Sequence, residues 1–215
     1  MIRAYDENYL VHSTRALGWM LDSAVNLFGF KAAPFWRLFI STGYADRFGK
    51  GESAILAGMT GYELARAVLD AAKAEYVAVP PSEVTDLSPE YWAGWALAHY
   101  QWRSALSFSE IDSFAPITEV IACYSPYHEM DILKFCEHMA SLYSAKHPES
   151  RLREVRERRG MTQRELALAS GVPVRMLQHY EQRVKNLGKA AFDTVFRLAQ
   201  TLRVPPKRLI EPEPC

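Results

Sequence analysis

Met161-Thr162-Gln163-Arg164-Glu165-Leu166-Ala167-Leu168-Ala169-Ser170-Gly171-Val172-Pro173-Val174-Arg175-Met176-Leu177-Gln178-His179-Tyr180-Glu181 is the stretch that decides the fold. Thr162 followed three residues later by Glu165 is a capping box, in which each side chain satisfies the other's backbone amide, so a short helix begins just after Thr162. Gly171 supplies the left-handed backbone that ends this helix and turns the chain steeply. Pro173, with its fixed φ, suits the first turn of a second helix over Pro173 to Gln182. Leu166, Val172, Leu177 and Tyr180 recur at spacings that bring both helices onto one small core, and Ala167 is small enough to let them approach closely. Two short helices crossed in this way form a helix-turn-helix.

Upstream, Leu152, Val155 and Arg156 begin a basic amphipathic helix ended by Gly160. Downstream, a further helical stretch runs from Ala191 to Leu202 and the segment closes with Val204-Pro205-Pro206-Lys207-Arg208-Leu209-Ile210. With Thr162-Gln163-x-Glu165-Leu166-Ala167, Gly171-Val172, Leu177 and Tyr180-Glu181 between them, these residues resemble the Cro/repressor-type helix-turn-helix family, often called the XRE family, over about a quarter of the chain. The resemblance implies a five-helix, all-α DNA-binding domain that reads double-stranded DNA as a homodimer and acts on transcription. Residues at the start of the second helix would face base edges in the major groove while the first crosses the backbone.

On that resemblance the outward positions are Val174, Arg175, Gln178 and His179. Arg175 suits a bidentate contact to guanine and Gln178 one to adenine; His179 suits a hydrogen bond to a purine and Val174 a thymine methyl. Gln163, at a helix N-terminus, matches the family position that lies against a phosphate. Arg164, Arg183, Lys185, Asn186 and Lys189 are further candidates for backbone contacts. Two departures from the family pattern stand out. Val172-Pro173-Val174 replaces the usual Ser/Thr before the second helix, and the loop from Gln182 to Lys189 is longer than in the shortest members, with Arg183 where many have glycine.

The charge distribution agrees with a polyanion partner at one end. The whole chain of 215 residues balances 25 Lys+Arg against 25 Asp+Glu. Divided at the break around His147 and Pro148, residues 1–148 hold 11 basic and 17 acidic residues (net −6), whereas 149–215 hold 14 and 8 (net +6). Two domains, 1–147 and 148–215, follow from this change and from the length. With 49% apolar residues, 11 Gly, 12 Pro and 3 Cys, collagen-like, disulfide-framework and charge-disordered classes are excluded. Asp6 and Glu7 stand where a signal peptide needs basic then apolar residues, and no apolar run approaches a membrane span, so a cytoplasmic address is expected.

Residues 1–147 read as helical throughout. Leu10, Leu17, Met20, Leu21, Ala24, Val25 and Phe28 share one face of a helix from Tyr9 to Phe30, ended by Gly29. Pro34 opens a helix carrying Phe35, Leu38, Phe39 and Ile40, which stops in the region from Gly43 to Gly51; Thr60 or Gly61 opens another through Ala71. An exposed connection is expected from Tyr76 to Pro89. Ser88-Pro89 then starts a helix whose Trp92, Trp95, Leu97, His99 and Trp102 cover so much of its circumference that it is expected to be buried on more than one side. Helical stretches follow at Pro116–Cys123 and His128–Tyr143. The run from Phe35 to Phe48, with the helical unit after it, is similar in organisation to helical domains encoded beside bacterial toxin-like proteins. An antitoxin-like regulator, whose acidic half holds a protein partner, is implied as an alternative.

Other constellations suggest no chemistry. Cys123, His128, Cys136 and His138 match no zinc spacing, so buried, reduced thiols are expected and no metal. The adjacent carboxylates Asp6/Glu7, Glu110/Asp112 and Glu129/Asp131 lack a partner base or nucleophile and read as solvated surface; Lys50 between two glycines reads as a turn. Neither an enzyme nor a cofactor is expected.

Overall fold

The computed structural model describes residues 3–80 and 87–212, and every regular element among them is helical. Two compact units meet in sequence between Tyr143 and Ser144, a few residues ahead of the expected boundary. No helix among the described residues is long and apolar enough to cross a membrane.

The N-terminal unit contains α1 (Leu10–Asp22), α2 (Ala32–Ser41), α3 (Tyr44–Gly49), α4 (Ser53–Leu56), α5 (Gly61–Ala71), α6 (Pro89–Ser104), α7 (Phe108–Asp112), α8 (Ile117–Ala122), α9 (Tyr124–Tyr127) and most of α10 (Ile132–Lys146). As the patterning suggests, α1 is prolonged by a wide turn, Ser23–Leu27, before Gly29 breaks it at φ +71°. Thr60 caps α5 with Glu63 in a complete capping box. Residues 74–80 run without regular structure, and 81–86 of the expected connection lie outside the described residues, as does Cys215.

The core forms around α6. Ser88 Oγ accepts the Tyr91 N–H at 3.0 Å with Pro89 behind it, so the helix starts where the sequence places it. Trp92, Ala93, Ala96, Leu97, Tyr100 and Trp102 are all buried, which confirms burial on more than one side. A Cβ on Gly94 would overlap the Leu17 carbonyl oxygen, so α1 and α6 touch backbone to backbone only because that position is glycine. Phe108 is gripped by Trp36, Phe39 and Phe48 at ring distances of 5.6, 5.4 and 5.7 Å. Each such buried aromatic contributes roughly 1.5–3 kcal/mol of apolar burial.

Several expectations change in detail. The helix expected from His128 starts at Ile132, because the Asp131 carboxylate accepts the Leu133 N–H at 2.8 Å and so opens the helix there. Cys136 is fully buried, with its sulfur 3.7 Å from His99 Nδ1, but Cys123 is only half-buried, since it sits at the end of α8 beside Glu119. Paired carboxylates also do local work: Asp6 accepts the Asn8 N–H, and Glu110 forms a capping box with Ser107.

The C-terminal unit comprises α11 (Arg151–Arg158), α12 (Gln163–Ser170), α13 (Val174–Glu181) and α14 (Phe192–Leu202), with single 3-10 turns at Leu187–Lys189 and Pro206–Arg208, the latter in the place of a fifth helix. Its small core joins Leu152, Leu166, Leu177, Leu198, Leu202 and Leu209, all essentially inaccessible to solvent.

Candidate nucleic-acid interface

The crossing of α12 and α13 is built as the sequence dictates. Thr162 Oγ1 accepts the Glu165 N–H at 3.2 Å, and the Glu165 carboxylate accepts the Thr162 N–H at 2.7 Å. Those bonds hold the Glu165 carboxyl below the usual carboxylate range. Gly171 caps α12 at φ +68°, where its N–H reaches the Ala167 carbonyl at 2.9 Å. The buried Ser170 hydroxyl donates to the Leu166 carbonyl and accepts from the Val172 N–H, satisfying the turn from inside. Pro173 lies just before α13 in extended conformation, with no side chain capping the helix, which is the local cost of the missing Ser/Thr.

Beneath the two helices lies a buried ion pair. Arg156 on α11 donates through Nε and Nη2 to the two carboxylate oxygens of Glu181, at 2.6 and 2.9 Å, with the side chains only 8% and 2% exposed. Arg156 Nη1 also donates to the Met161 carbonyl at 2.7 Å, just ahead of the Thr162 cap. The bond to Glu181 is the main reason that the guanidinium is held more basic than usual. Glu181 accepts a third bond, from Gln163 Nε2 at 2.8 Å, and Gln163 Oε1 in turn faces Gln178 Nε2 at 3.5 Å. A continuous polar chain therefore runs from the core to the outer face, Arg156 to Glu181 to Gln163 to Gln178.

Around this chain the nominated residues separate into groups. Arg175 and Gln178 are exposed on α13, three residues apart and hence on one face, and Arg175 makes no ion pair among the described residues. Gln163 joins them from α12, and Arg164 is exposed beside it. Val174 and His179 are half-buried, so they are less outward than the sequence suggests; Nδ1 of His179 is enclosed, without a hydrogen-bond partner among the described residues. Lys185 and Lys189 are exposed in the following loop, with Lys185 Nζ 3.9 Å from the Met176 sulfur. Asn186 spends its side-chain oxygen on the Gly188 N–H at 2.7 Å, starting a 3-10 turn. Arg183 is engaged within the unit, donating to carbonyls at 147–149.

Arg156, Glu181 and Ser170 were not nominated from sequence. The signal for the first was present: Arg156 occupies an apolar-face position with Leu152 and Val155, where an arginine needs a buried partner.

Residues 152–209 match the model of a family described as helix-turn-helix. No curated protein and no solved structure matches the chain. The C-terminal segment is a DNA-binding helix-turn-helix domain, and its type is that of the Cro/repressor, or XRE, family.

Proposed function

We propose that the protein is a sequence-specific transcriptional regulator of the cytoplasm, with no catalytic activity, in which α13 enters the major groove and a homodimer occupies two half-sites about 34 Å apart. One observation carries this reading: Gln178, exposed beside Arg175 on α13, faces Gln163 at 3.5 Å, and Gln163 donates to Glu181 of the buried Arg156–Glu181 pair, so the exposed face is connected to the core through one polar chain. Arg175 reads guanine O6 and N7, Gln178 reads adenine, and Gln163 anchors α12 against a phosphate. Arg164, Lys185 and Lys189 add backbone attraction without sequence choice, and specific affinity falls in the range of about 10⁻⁸–10⁻¹¹ M.

Selection of bound sequences from a random duplex pool tests the reading, with two half-sites one helical turn apart as the expected result. In binding titrations on the selected duplex, Arg175→Ala lowers discrimination at one base pair by about 1–3 kcal/mol. Lys185→Ala weakens all duplexes alike and reduces the steepness of salt dependence by about 0.9. Equal loss on selected and random duplexes for Arg175→Ala would remove base reading from the account.

The net −6 of residues 1–148 favours a second reading, in which the acidic half holds a protein partner in the manner of an antitoxin while the helix-turn-helix autoregulates. Co-purification of a basic partner with the full chain, lost on high-salt washing, separates it from a stand-alone regulator.

A further inference from the structure

We propose that Arg183 is a positioning residue that ties the exit of the recognition helix to the chain segment preceding α11, and that it does not contact a phosphate. The proposal rests on the reading of α13 as the groove helix.

Arg183 lies two residues beyond α13 with φ +57°, a left-handed conformation that glycine adopts freely and that a residue with a Cβ adopts only under constraint. That conformation is the common ending of a helix, and the Arg183 N–H closes it on the Tyr180 carbonyl at 3.1 Å; the side chain then turns back across the unit. Nη2 donates to the carbonyls of His147 and Glu149, both at 2.9 Å, and Nη1 to that of Pro148 at 3.3 Å. Nη2 also lies 3.5 Å from Glu211 Oε2. One planar guanidinium thus gathers three consecutive carbonyls and a carboxylate, a use that suits its fixed fork of donors and that a lysine ammonium reproduces poorly.

The carboxylate extends the connection. The other oxygen of Glu211 accepts the Arg151 N–H at 2.6 Å, at the first residue of α11, next to the Ser150 cap on Arg153 N–H. The end of α13 is therefore tied both to α11 and, through the residue that follows, to the segment before it. Arg156 grips Glu181 from within, and Arg183 closes over the segment that leads into α11. With the other end of α13 fixed by the Gly171 turn, both anchors set the angle at which Arg175 and Gln178 are presented. Nη1 and Nη2 of Arg183 are committed to these four acceptors, so a phosphate contact made through either would displace one or more of them.

The test uses the full chain, with R183G and R183K, and the duplex recovered by selection, well below each variant's melting temperature. R183G keeps the backbone conformation and removes the guanidinium. Its affinity is expected to fall about 2- to 30-fold at every salt concentration, the range for residues that modulate a site without touching the ligand. The salt dependence stays as steep as in the wild type, and amides around Glu149–Leu152 exchange faster. R183K loses affinity in the same way. A salt dependence shallower by about 0.9 in R183G, or wild-type affinity in R183K, would mark a phosphate contact and overturn the proposal. Unchanged affinity alongside faster exchange would overturn it too, by showing a role in stability alone. If the wild-type chain binds no duplex, the reading of α13 fails first and the positioning role falls with it.

Discussion

The two units solve the problem of a unique fold by different means. The N-terminal unit fills a large space with aromatic rings around α6, to which it adds polar ties such as the Trp102 indole donating to the Tyr5 carbonyl at 2.9 Å. The C-terminal unit has little apolar volume to bury and fixes its helices with a buried ion pair; capping boxes and left-handed glycines serve both units. The first arrangement tolerates exchange among hydrophobic residues of similar volume, whereas the second depends on the identity of a few side chains.

That difference sets the expected size of perturbations. The largest effect falls where most ring area is lost: Phe108→Ala, which empties the space between Trp36, Phe39 and Phe48, destabilises the N-terminal unit by about 3–5 kcal/mol. Trp19, Trp36, Trp92, Trp95 and Trp102 all belong to that unit, so denaturant unfolding followed by tryptophan emission measures it selectively. A loss under 1 kcal/mol would break the comparison.

Next comes Glu181→Ala, which strands a buried guanidinium and costs the C-terminal unit up to about 3–5 kcal/mol. Replacing both partners, Arg156→Met with Glu181→Leu, should recover most of that stability and yet leave DNA binding weak, because Gln163 has lost the carboxylate that orients it. A double variant that binds as well as the wild type would show that the polar chain serves stability alone.

A smaller effect comes from His99. Burial first, then Arg103 and Arg3, pushes its pKa down to about 4, with Asp131 opposing them. The folded imidazole therefore stays neutral where the unfolded one takes a proton. Its stabilising contribution is complete above the unfolded value near 6.5 and is lost as pH falls from there toward 4. Tryptophan-detected melts of the wild type should weaken over that window more than those of His99→Gln; parallel curves would remove the histidine from the explanation.

The smallest is Thr162→Ala, which removes one half of the α12 capping box at a cost of about 1 kcal/mol. Thermal melts of the C-terminal unit measure it. An effect as large as that of Glu181→Ala would mean that the cap, and not the ion pair, dominates this unit.

Legibility in the sequence follows the same division. The α12–α13 crossing could be read because its determinants are local: Thr162 with Glu165, Gly171, and a handful of apolar positions. The starts of α5 and α6 were legible for the same reason, at Thr60 and at Ser88-Pro89. The short helices α3, α4, α7 and α9 were not, since four to six residues carry too little periodicity and their conformation is settled by what covers them. Even so, Ser107 and Glu110 spell out a capping box for α7 that could have been found. In the interface, exposure of Arg175 and Gln178 follows from helical spacing. The capture of Arg183 by backbone carbonyls depends on distant chain folding back, which no local pattern records.

The polar chain from Arg156 to Gln178 also has a consequence for descent. Arg175 and Gln178 stand outside the core, so a lineage is free to exchange them in single steps while the domain stays folded, and under the proposed reading of α13 each exchange changes the operator. Arg156 and Glu181 have no such freedom, because either one alone is a stranded charge. Related chains should therefore vary most at the exposed pair and change the inner pair only in concert.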